Sequence, residues 1–132
     1  MIQNLFHFPI FVERGIDTYD AYKETYPIWN KKLTKVIDEL RDTDSPYLSQ
    51  RVPVGTKQPN ILYDNPELNE FKEFIQHVCL MYAMDTKWTA LKENRRYGID
   101  LTASWVNILN KNQFQHSHVH PNSQISGVYF HK

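Results

Sequence analysis

The sequence predicts an α+β fold in which helices come first and an antiparallel sheet last. Three observations predict it. Apolar residues recur every three or four positions from Tyr19 to Leu40, and again from Leu68 to Tyr82. That is the spacing of one helix face. Past Gly98 the period shortens to two, as on a half-buried strand. Turn-forming residues then punctuate the chain at Lys111-Asn112 and at Pro121-Asn122-Ser123.

Taken in order, Leu5 to Val12 reads as a short strand with Pro9 at an edge position. Asp17 or Thr18 can cap the first helical turn. Tyr19, Tyr22, Tyr26, Trp29, Leu33, Val36, Ile37 and Leu40 then form one apolar stripe. Pro27 lacks an amide hydrogen, so it either kinks this helix or begins a second segment. The stripe reads as core packing. Residues 42–65 are rich in Asp, Ser, Pro, Gly and Asn and read as a long irregular connection. Asn65-Pro66 is a helix start, with a capping side chain followed by proline at the first helical position. Leu68, Phe71, Ile75, Val78 and Tyr82 carry that helix to about Met84. Arg95, Arg96 and Gly98 mark a turn. Leu101 to Val106, Phe114 to His120 and Gln124 to Phe130 are the expected strands.

Composition narrows the function classes. Fifteen Lys and Arg balance fifteen Asp and Glu, which argues against nucleic acid or an anionic membrane as partner. Hydrophobic residues make up 41% of the 132-residue chain, enough for one packed domain. No stretch approaches the roughly 20 apolar residues of a membrane span. Residues 1–12 lack the basic start and unbroken apolar run of a signal peptide. The one cysteine, Cys79, lies on an apolar helical stretch and reads as a core thiol. A reducing, cytoplasmic setting is expected.

Histidine placement is the strongest functional signal. Four of the six histidines fall in the last 17 residues. His116, His118 and His120 are spaced by two, so on a strand their side chains share a face. Imidazoles grouped in this way suit zinc, iron, copper or nickel. The bland alternative is a polar, solvent-facing strand. His7, His77 and His131 carry no such pattern.

The run Ser104-Trp105-Val106-Asn107, then His118-Val119-His120-Pro121, then Ser126-Gly127-Val128-Tyr129-Phe130 resembles a family of 2-oxoglutarate- and Fe(II)-dependent oxygenases of bacteria and marine phages. The W-x-N, H-x-H-P and S-G-V-Y-F elements stand in family order. The resemblance implies that 1–132 is a single, truncated oxygenase domain. Residues 1–98 would be its mainly helical N-terminal region, and 99–132 the first strands of an incomplete double-stranded β-helix (jelly roll). It also implies Fe(II) and 2-oxoglutarate as cofactors. The metal residues it implies are His118, as first ligand, and His120, where the wider superfamily has Asp or Glu. A neutral imidazole there would change the electronics of the iron. Asn107 and Tyr129 are implied as co-substrate-pocket residues. The superfamily's distal histidine, and the Arg or Lys that pairs with 2-oxoglutarate, lie beyond the matched region. Little turnover is therefore expected of the chain alone. A jelly roll needs about eight strands, so an open sheet edge is expected to favour self-association or a complementing chain. A phage gene would place the protein in the host cytoplasm.

Two other readings compete. His118, His120 and Gln124 approximate the metal residues of cupins, which share the jelly roll. A non-catalytic structural protein or phage remnant would bind no metal. The substrate is not legible, because fold does not choose among substrates.

Overall fold

The computed structural model describes residues 2–5, 8–11, 23–48, 57–86, 98–115, 118, 120 and 123–131. For 2–5 and 8–11 this covers the backbone alone. The helical turns expected at Tyr19 and Tyr22, the Arg95-Arg96 turn, His7 and His116 lie outside these residues.

Strands β1 (Ile2–Leu5) and β2 (Phe8–Phe11) form an antiparallel hairpin, with Ile2 opposite Phe11 and Leu5 opposite Phe8. The strand expected over 5–12 thus contains β2, while Leu5 belongs to β1. Pro9 pairs with Asn4. A ladder of two strands has an outer side, where a missing N–H is tolerated.

Helix α1 spans Tyr26–Leu40. Pro27 occupies its first turn and so begins the helix instead of kinking it. The Thr25 carbonyl accepts from the amides of Ile28 and Trp29, both at 3.1 Å. The helix stops where Arg41 turns extended and Asp42 takes φ 62°. Aspartate is among the few residues that tolerate this left-handed region. Within the expected connection, Pro46–Leu48 makes a 3-10 turn and α2 (Ile61–Asp64) a single helical turn. The Asn65-Pro66 start is present: the Asn65 side chain accepts from the Glu67 amide at 3.0 Å. A 3-10 turn over Pro66–Leu68 then leads into α3 (Asn69–Asp85).

The core lies between α1 and α3, closed at one end by α2. Trp29, Leu33 and Val36 meet Ile61, Leu62, Leu68, Phe71 and Phe74. Fully buried Trp29 is its centre, with ring centroids 4.9 Å from Phe71, 5.5 Å from Phe74 and 5.0 Å from Tyr26. At the rim Lys32 donates to both carboxylate oxygens of Glu70 at 3.0 and 2.9 Å, and Lys35 reaches Glu67 at 3.3 Å. Cys79, expected as a core thiol, is half-buried on α3 and outside the buried cluster, and burial pushes its thiol pKa up. No helix among the described residues is long and apolar enough to cross a membrane.

The expected order of helices followed by jelly-roll strands is corrected. Among the described residues the strands precede the helices, and none follows them. Among the described residues, the stretches 101–106, 114–120 and 124–130 contribute one isolated parallel bridge, Asn60 with Ser104. Alternation alone does not make a strand. It records which residues of an extended segment face inward, and Tyr129 and His131 do lie deeper than exposed Val128 and Phe130. A strand also needs a laddered neighbour to take its N–H and C=O groups. Residues 98–106 direct theirs to side chains and to the turn before α2. Among the described residues no strand is present there to carry the open edge expected of an incomplete jelly roll.

Candidate metal site

The segment bearing the W-x-N motif is held by a compact polar lock. Asn60 is buried, and its side-chain amide donates to the Leu101 carbonyl. The Ser104 hydroxyl donates to Asn60 Oδ1 at 2.7 Å and accepts from the Leu62 amide at 3.0 Å. The Ser104 amide donates to the Pro59 carbonyl at 3.0 Å, and its carbonyl accepts from Ile61 at 3.1 Å. The Val106 amide donates to the Tyr47 carbonyl at 2.7 Å, and Gln76 Nε2 to the Ile99 carbonyl at 2.8 Å. Leu101 and Val106 pack against the helical core. The polar groups of Asn60 and Ser104 drawn toward the core thus find partners, which burial demands.

After Asn107 the chain leaves the helices. Lys111 and Asn112 form the expected turn, closed by the Gln113 amide on the Asn110 carbonyl at 3.0 Å. Asn112 takes φ 70° there, a conformation asparagine tolerates. His118 and His120 lie side by side, with ring centroids 4.7 Å apart and planes at 72°. His120 also stacks on Trp105, at 5.6 Å and 25°. The Ser123 amide donates to the His120 carbonyl at 3.3 Å.

Two imidazoles bound at a right angle to one ion, with bonds near 2.1 Å as at zinc, have ring centres roughly 4.6 Å apart. An edge-to-face ring contact has similar spacing, so the distance admits a shared ion without requiring one. Imidazole nitrogens are donors suited to a divalent ion. Among the described residues no group of three or more His, Cys, Asp or Glu is placed to hold a metal.

The four residues singled out by sequence therefore separate. His118 and His120 come together. Asn107 is exposed on the same segment. Tyr129 docks against the aromatic core, 4.9 Å from Phe71 and 6.2 Å from Trp29 by ring centroid. Burial, and secondarily the charge of Tyr26, push its phenol up to about 12, so it stays a protonated donor near neutrality. Next to it, His131 Nε2 lies 2.9 Å from the Thr34 hydroxyl on α1. A cleft beside Tyr47, lined by Pro46, Lys57, Gln58, Pro59 and Asp64, includes none of the four. Sequence reasoning missed the Asn60–Ser104 lock and the Trp105–His120 stack. Their partners are distant along the chain, and no spacing rule pairs them. The one available signal was Asn60 as a polar residue directly ahead of apolar Ile61 and Leu62.

Comparison with curated proteins gave no match, and comparison with solved structures gave none. A family model does match: residues 103–132, the last 30 of 132, match the family described as "Putative 2OG-Fe(II) oxygenase". That stretch contains His118, His120 and Trp105.

Proposed function

We propose that this chain contributes two iron ligands, His118 and His120, to a 2-oxoglutarate-dependent oxygenase site. The observation that carries this reading is the paired imidazoles, 4.7 Å apart, inside the stretch that matches the oxygenase family. Two neutral imidazoles are a donor set that iron shares with zinc, copper and nickel. When bound, Fe(II) and 2-oxoglutarate would supply oxidising power with dioxygen: one oxygen atom would go to the substrate and the other to the co-substrate, which would leave as succinate and carbon dioxide. The chain's own residues bind and orient. Asn107 offers an exposed amide, a donor and an acceptor, to the co-substrate side. Tyr129 is the second co-substrate candidate and keeps its phenolic proton.

The test is anaerobic Fe(II) binding to the purified chain, followed by absorbance with and without 2-oxoglutarate. A visible charge-transfer band that needs both supports a chelated co-substrate. Iron binding without the band supports a second reading, a metal-binding protein without turnover, which the two-donor set favours. No binding removes both readings and leaves a structural protein. A companion measurement concerns the ligands: His118→Ala should weaken metal binding more than His116→Ala. Equal losses would make all three imidazoles ligands.

A further inference from the structure

Trp105 is the least explained large side chain of the matched stretch. It is half-buried, yet it does not belong to the apolar cluster around Trp29. Its indole lies instead over His120, with centroids 5.6 Å apart and planes only 25° from parallel. Both of its chain neighbours are fixed. Ser104 is bonded through its amide, carbonyl and hydroxyl to the Pro59–Leu62 turn, and the Val106 amide is bonded to Tyr47. The indole thus stands on a rigid pedestal, its face presented to one ring of the pair. The two imidazoles differ in consequence: His120 is half-buried and stacked, whereas His118 is exposed.

A ligating imidazole must have its ring plane set by something besides the metal. A ring ordered in advance lowers the ordering cost of binding. We propose that Trp105 is a positioning residue for His120, holding that ring ready to take the ion. This rests on the reading of His118 and His120 as ligands. It adds a third residue on which the site depends.

The test uses the full chain with Ni(II), an air-stable probe for an imidazole pair. Affinity is measured by calorimetry for the wild type, Trp105→Leu, Trp105→Phe and His120→Ala, the last giving the background of the other histidines. The metal-free proteins are compared by the ring resonances of His118 and His120. A stacked aromatic pair is worth about a two- to tenfold change in equilibrium constant. Trp105→Leu should weaken Ni(II) binding by that factor and shift the His120 ring protons downfield, with His118 moving less. Trp105→Phe keeps a flat face and should recover most of the affinity; it also keeps the test readable should Trp105→Leu lose helicity. Should Trp105→Leu bind like the wild type with His120 unshifted, the inference fails while the metal reading stands. Should the wild type bind no better than His120→Ala, the metal reading fails and takes this inference with it.

Discussion

Ser104 shows how much one small side chain can carry. Its hydroxyl accepts from the Leu62 amide and donates to buried Asn60. Ser104→Ala would leave both partners without their bond, and unsatisfied buried groups cost about 1–3 kcal/mol each. The expected loss is of that order overall, read as a lower urea midpoint at unchanged slope. Tyr129 gives a prediction with a pH window. Its folded pKa, about 12, lies above the ordinary tyrosine value. Its contribution is therefore whole below about pH 10 and is lost as pH rises toward 12. Tyr129→Phe should flatten that alkaline decline, measurable as melting temperature against pH. At this scale the sequence was half legible. The histidine pair could be read from its i, i+2 spacing. The Asn60–Ser104 lock could not, because it joins residues 44 positions apart and no local pattern announces such a bond.

Helices were the legible elements. Pro27 and Asn65-Pro66 act where proline and a capping side chain must act, at helix starts. The apolar stripes became the α1–α3 interface. Its centre, Trp29, sets the scale of that contact: Trp29→Ala should destabilise by roughly 3–5 kcal/mol. The indole Nε1 is buried without a hydrogen-bond partner. Trp29→Phe removes that donor along with the ring volume, so it should cost distinctly less than Trp29→Ala in the same denaturation experiment. The Lys32–Glu70 pair between the helices is weaker. Both side chains are partly exposed, 38% and 42%, and exposed pairs give about 0.2–1 kcal/mol. The hydrogen bond from Lys32 holds the Glu70 carboxyl below its ordinary pKa, against the opposing effect of burial. The pair's contribution is present above the unfolded pKa, about 4.3, and disappears as pH falls below it. Glu70→Gln and the wild type should therefore converge in stability in acid, and in high salt. The strands were misread because period two describes facing and not pairing. Residues 98–131 alternate in burial over parts of their length, but among the described residues their hydrogen bonds go to turns and side chains.

At the scale of the whole molecule, a helical body carries an extended segment, and the candidate metal pair sits on the far part of that segment. The body is tied together by an aromatic core and interhelical ion pairs. From Asn107 to Phe130, by contrast, the backbone bonds that the described residues make to one another are two local turns, at Asn110–Gln113 and His120–Ser123. Val128 and Phe130 stand 78% and 84% exposed. Amide hydrogens in such a stretch exchange by local opening, without waiting for the body to unfold. Deuterium exchange should thus be slow in α1 and α3 and fast across 107–113 and 124–128. Equal protection in both would contradict the division. One thermodynamic consequence reaches the ligand pair. If the arrangement that brings His118 to His120 is only fractionally populated, the apparent dissociation constant is the intrinsic one divided by that fraction. Changes that shift the population, such as a tighter seat for Tyr129 on Trp29 and Phe71, would then retune affinity with both imidazoles untouched.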